Sequence, residues 1–143
     1  MRPTLTHLAL NVPDLEAAIG FYEEYCELTI VHDRGDGGGR TVWLAEAGKE
    51  HSFVFVLIGG GPGEEQGPRD FSHIGFALDS KEAVDAVARK AESRGDLVWP
   101  PRQEPWPVAY FCGVRAPDGR VVEFSYGQPL GPGADSEEQR ALP

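Results

Sequence analysis

Three ionisable side chains carry the chemistry this sequence offers. His7 stands in Thr6-His7-Leu8-Ala9-Leu10-Asn11-Val12, and His73 in Ser72-His73-Ile74-Gly75-Phe76-Ala77-Leu78. The two stretches match in register as small polar, His, then aliphatic residues, so the chain contains an internal repeat. Glu123 follows in Val121-Val122-Glu123-Phe124 near the end of the second repeat. Two neutral imidazoles and one carboxylate are the ligand set of mononuclear non-haem iron, with coordination sites left open. Zinc or manganese fits the same set. A single strand histidine is ordinarily a hydrogen-bonded structural residue. Here the two histidines share a repeat position, and the glutamate shares their facing.

That facing comes from the elements. Side chains alternate across a strand. In the strand Leu5–Val12, Leu8, Leu10 and Val12 share the face that covers a helix, while His7, Ala9 and Asn11 face away. In Phe71–Leu78, His73, Gly75 and Ala77 face away, and in Val121–Tyr126 Val121, Glu123 and Ser125 do so. A carboxylate on such an inward face is costly unless it is paired or bound to a cation. Small neighbours (Ala9, Gly75, Ala77) leave room for one.

Each half reads as βαβββ. Asp14 N-caps a helix to about Cys26, with Leu15, Ala18, Ile19 and Tyr22 on one face, and Glu16 suits its positive end. Strands follow near Leu28–Asp33, Thr41–Ala45 and Phe53–Ile58, with Asp36-Gly37-Gly38-Gly39 as a hairpin loop. In the second half Asp79 is the expected N-cap, with Glu82 completing a capping box, and Gly95 ends the helix. Strands near Leu97–Trp99, Ala109–Val114 and Val121–Tyr126 complete the set, the last hairpin turning at Pro117-Asp118-Gly119. We expect one domain over residues 4–127, with modules 4–59 and 71–127, a flexible Gly/Pro-rich link at 60–70 and a loosely ordered tail at 128–143.

Bulk properties narrow the partners. With 143 residues, 41% of them hydrophobic, the chain can bury a core. A net charge of −10 disfavours nucleic acid and anionic membranes, so a small-molecule substrate is expected. No apolar run spans a bilayer, and no signal-peptide core follows Met1. Cys26 and Cys112 form no CxxC or secreted disulfide pattern and read as free thiols, so a cytoplasmic location is expected.

The His-x-aliphatic first strand, the Asp-capped helix with Phe21-Tyr22, His73-Ile74-Gly75-Phe76, and Ala116-Pro117-Asp118-Gly119-Arg120-Val121-Val122-Glu123-Phe124 resemble the vicinal-oxygen-chelate superfamily. That superfamily includes glyoxalase I, methylmalonyl-CoA epimerase, fosfomycin- and bleomycin-resistance proteins and extradiol dioxygenases. The resemblance implies an α+β fold of paired βαβββ modules, curled around a cleft that holds one divalent ion (Fe, Zn, Mn or Ni) on His7, His73 and Glu123. It implies lyase, isomerase or dioxygenase chemistry on a small oxygenated metabolite, by chelation of neighbouring oxygens. The alternative is metal-free drug binding of the bleomycin-resistance kind. Small relatives are often swapped homodimers, so a homodimer is expected, with the modules paired either within one chain or exchanged so that His7 of one chain meets His73 and Glu123 of another.

Departures from the resemblance define the rest of the site. Glyoxalase and epimerase relatives take a fourth ligand from the first module's last strand. Here that position falls on Phe55 or Leu57, both expected to face the cleft or its wall, with His51 as the nearest polar residue. Gly113 stands where ring-cleaving relatives carry a tyrosine, and Ala9 where fosfomycin-resistance enzymes carry a threonine. Among Trp43, Trp99, Trp106, Tyr110 and Phe111, Trp106 and Tyr110 are the favoured pocket aromatics. Phe55 and Arg115 complete the candidate substrate contacts, Arg115 for an anionic group.

Overall fold

The computed structural model describes residues 1–36, 39–131 and 134. The first module runs β1 (His7–Val12), α1 (Leu15–Cys26), β2 (Thr29–Asp36), β3 (Gly39–Ala45) and β4 (Val54–Gly59). The second runs β5 (His73–Ala77), α2 (Lys81–Arg94), β6 (Leu97–Gln103), β7 (Tyr110–Arg115) and β8 (Val121–Tyr126). Each is βαβββ. The chain divides into two compact units, one of residues 1–65 with 117–119, the other of 66–116 with the chain from Arg120.

Local chemistry fixes the helices. The Asp14 carboxylate accepts from Ala17 N–H at 3.1 Å, and Glu27 closes α1 in the left-handed conformation. Helix α2 is capped one residue later than expected. Ser80, not Asp79, accepts from Ala83 N–H, at 3.1 Å, so Glu82 is out of position for a capping box and serves the positive helix end. Gly95, at φ 76°, ends α2.

The two sheets share one topology, β1-β4-β3-β2 and β5-β8-β7-β6. In each, only the first pair (β1–β4 and β5–β8) is parallel, and the others are antiparallel. Helix α1 buries Ala18, Ile19, Tyr22 and Tyr25, and Tyr22 stacks on Phe55 of β4 at 5.8 Å between centroids. Under α2, Val84, Ala88 and Ala91 are buried, and Phe124 of β8 is fully buried and stacked on Phe76 at 6.0 Å. Strand β6 runs past Pro100 and Pro101, where the sequence suggested an end. It is an edge strand with two register shifts, and there a missing N–H is tolerated.

Of the expected β2–β3 loop, Asp36 pairs with Gly39, while Gly37 and Gly38 lie outside the described residues. The tail's Asp135, Glu137 and Glu138 lie outside them too. At the end of the link, the Gln66 side chain donates to Ser72 O at 2.7 Å and accepts from Val121 N–H at 2.8 Å. One residue thus fixes the starts of β5 and β8 together. No described helix is long and apolar enough to cross a membrane.

Two predictions arise here. Gly119 has φ +96°, and a Cβ on it would fall 2.0 Å from Glu64 O. Gly119→Ala should therefore cost about 2 kcal/mol or more, read as a lower denaturation midpoint in urea. An unchanged midpoint contradicts the packing. The Cys112 thiol is buried, donates weakly to Val84 O at 3.8 Å and is pushed up by burial to about 12. Burial also holds the Cys26 thiol well above its ordinary value. At pH 8 a disulfide reagent should leave both thiols intact in the folded chain and label both after denaturation. Rapid labelling of Cys112 in the native protein contradicts this.

Candidate metal-ligand site

Strands β5 and β8 lie parallel, with Gly75 opposite Glu123 and His73 opposite Val121. Paired residues of parallel strands point to the same side, so His73 and Glu123 share the face turned away from α2. The His73 Nε2 lies 3.6 Å from Glu123 Oε2. On its other side His73 Nδ1 is 2.7 Å from the Phe71 carbonyl. A carbonyl only accepts, so Nδ1 carries the proton, and in the neutral ring Nε2 presents its lone pair toward Glu123. This is the orientation that outer-shell partners impose on a metal-binding histidine.

Glu123 is 6% exposed. Burial pushes its carboxyl above the usual range, against the opposing pull of His73 and a hydrogen bond from Gln128. A desolvated carboxylate beside an imidazole lone pair favours a cation. Their 3.6 Å separation is one that two ligands of a single ion can adopt with bonds of about 2.1 Å. Gly75 keeps the place open, since a Cβ there would already be 3.3 Å from Glu123 Oε2.

Beside this pair the second module carries a hollow of about 340 Å³, bordered by Phe71, Trp99, Arg102 and Phe111 as well as His73 and Glu123. The first module carries its own hollow of about 450 Å³, lined by Thr6, His7, Trp43, Glu50, His51 and Val56 among others. There His7 Nδ1 sits 2.9 Å from the Thr6 hydroxyl, which can donate or accept. So the structure brings His73 together with Glu123 and sets His7 on the first module. Among the described residues, no three His, Cys, Asp or Glu side chains are clustered closely enough to hold an ion.

Other expected positions lie away from this hollow. Phe55 and Leu57 do not face the hollow. Phe55 packs on Tyr22, and Leu57 is fully buried. The register explains why: Ala9 pairs with Val56 just as Gly75 pairs with Glu123, so Val56 is the counterpart of Glu123. The position remains apolar, but it belongs to a neighbouring residue on the opposite face. Tyr110 also lies on the helix side, its hydroxyl bonded to Asp85 of α2 and its phenol raised to about 12 by that bond. Trp106 is 53% exposed and does not line the hollow. Arg115 shares Gly113's parity on β7 but is likewise absent from its lining. The aromatics that do line it are Phe71, Trp99 and Phe111. For Phe111 the signal was strand parity, since it borders Gly113 on a strand whose partners include Glu123.

Among known proteins, the Glyoxalase/Bleomycin resistance protein/Dioxygenase superfamily matches residues 4–124. The chain belongs to this superfamily. An uncharacterized protein of Pseudomonas aeruginosa is 56% identical over 136 residues, covering 95% of this chain and 97% of that one. A possible glyoxalase from Bacillus cereus superposes with a TM-score of 0.64 at 32% identity, over 85% of this chain and 96% of that one. A fosfomycin resistance protein from Listeria monocytogenes, complexed with Mn(II) and sulfate, shares the fold with a TM-score of 0.65 at 17% identity, over 87% and 92%.

Proposed function

We propose that this superfamily member is a metal-dependent enzyme, with His7, His73 and Glu123 as the ligands of one divalent ion (Fe, Zn, Mn or Ni). The single observation that carries the reading is the His73–Glu123 pair, with Nε2 and Oε2 3.6 Å apart and Nδ1 pinned to Phe71 O. The Mn(II) complex of the fosfomycin resistance protein is consistent with it. A bound ion would act as a Lewis acid on neighbouring substrate oxygens, in lyase, isomerase or dioxygenase chemistry on a small oxygenated metabolite. The chain's own residues do the rest. Phe71 O holds the His73 tautomer, Glu123 would supply charge from a buried position, and the apolar Val56 would add no fourth protein ligand, leaving room for substrate oxygens.

His7 is assigned here to a second copy in a homodimer, as in the exchanged arrangement of paired modules. Strands β1 and β5 are sheet edges that such a copy would cover. The test is elemental analysis of chain purified without chelator, together with sedimentation. The expected result is one ion per chain, a dimer, and loss of the ion in His7→Ala. A chain with no affinity for added Mn(II), Zn(II) or Fe(II) would favour metal-free drug binding. A monomer that binds one ion per chain would place all three ligands in one chain.

A further inference from the structure

The hollow beside His73 and Glu123 has a floor that the metal reading does not explain. Trp99 of β6 lies across Gly113 of β7, where a Cβ would meet the indole at 2.5 Å. Any other residue at Gly113 would push the ring away. Neighbouring rings hold the indole in place. His73 meets it edge-on at 5.5 Å and 86°, Phe111 at 6.3 Å and 87°, and Phe71 tilts toward it at 6.4 Å and 43°. Phe71 is 66% exposed at the rim. Among the described lining residues the one Lys or Arg, Arg102, is engaged by Glu104, so apart from an ion on His73 and Glu123 no side chain of the hollow is set to receive an anionic group. The chain's net charge of −10 works against anions as well.

We infer that this hollow seats a flat, uncharged aromatic group of the ligand, with Trp99 as the specificity-determining floor and Gly113 as the residue that lets the indole lie there. This rests on the reading of His73 and Glu123 as the reactive end of the same site, toward which the ligand's oxygens would point. A volume of about 340 Å³ accommodates one or two fused rings. Offset and edge-to-face ring contacts add attraction beyond area burial, which a saturated ring of the same bulk does not gain.

The test is titration calorimetry of the full chain, metal-free and Mn(II)-loaded, with naphthol, decahydronaphthol and naphthalene sulfonate. The expected result is saturable naphthol binding, with the saturated and the sulfonated analogues at least about fivefold weaker. Trp99→Ala should weaken naphthol about tenfold, while Trp99→Phe retains most of the affinity. Gly113→Ala, which displaces the indole without removing it, should weaken it as well. Equal affinity for decahydronaphthol, preference for the sulfonate, or an unchanged Trp99→Ala in a chain that still melts cooperatively would overturn the inference. So would the absence of saturation, the result expected if a second copy fills the hollow. The two metal states separate this inference from the metal reading. Selective naphthol binding by a chain that takes up no metal upholds the aromatic site and removes the metal centre. Tight Mn(II) binding without naphthol selectivity does the reverse.

Discussion

Glu123→Gln should bind Mn(II) or Zn(II) at least about 100-fold more weakly than the native chain, and yet be the more stable of the two at pH 7 once both are metal-free. The first half follows from losing an anionic ligand, since loss of an outer-shell partner alone costs 10–100-fold. The second follows from burial. Glu123 is 6% exposed and its carboxyl is held above the ordinary range, so in the folded chain its charge is disfavoured. A raised carboxyl leaves stability intact below the ordinary carboxylate value and removes it as pH rises through the folded one. The glutamine carries no such loss. Thermal melts of the two metal-free proteins should therefore converge in mild acid and separate toward neutrality, with Glu123→Gln on top. If Glu123→Gln melts lower at pH 7, the carboxylate is stabilising the empty fold, and its placement as a ligand loses its physical motive. His73→Ala should share the metal defect without the pH-dependent gain.

Two adjacent substitutions in β4 should behave in opposite ways. Leu57→Glu puts a charge into the fully buried α1 side and should cost at least about 4 kcal/mol, enough to prevent folding of a domain of ordinary stability. Val56→Glu places the same side chain on the opposite face, in the hollow beside Ala9 and at the counterpart of Glu123, a position where the second module already holds a buried carboxylate. Its cost should stay within about 2 kcal/mol. Urea denaturation of both variants is the measurement. If Val56→Glu unfolds and Leu57→Glu is tolerated, the register of β1 on β4 is off by one. A Val56→Glu chain that folds also supplies a carboxylate where glyoxalase relatives carry their fourth ligand, so its metal affinity should rise rather than fall.

The sequence by itself determined what depends on neighbours along the chain. The repeat of His7 and His73, the caps at Asp14 and Gly95, and the common facing of His73 and Glu123 all follow from local chemistry or from the two-residue period within a strand. Those signals also led to the superfamily now matched over residues 4–124. What only the tertiary structure decided depends on the alignment of one strand with another. From Val54 to Leu57 every residue of β4 is buried, so both faces are apolar and no alternation marks which one meets the helix. Phe55 and Val56 were therefore indistinguishable until hydrogen bonding paired Ala9 with Val56. Strand β6 continues through Pro100 and Pro101 because a sheet edge tolerates a missing N–H, which no local pattern signals. That brought Arg102 to the hollow and gave Trp99, already visible as an aromatic, its place over Gly113. Tyr110, one residue from Phe111, turned to Asp85 because α2 covers that face of β7, a fact carried by packing across about 25 residues of chain rather than by any local pattern.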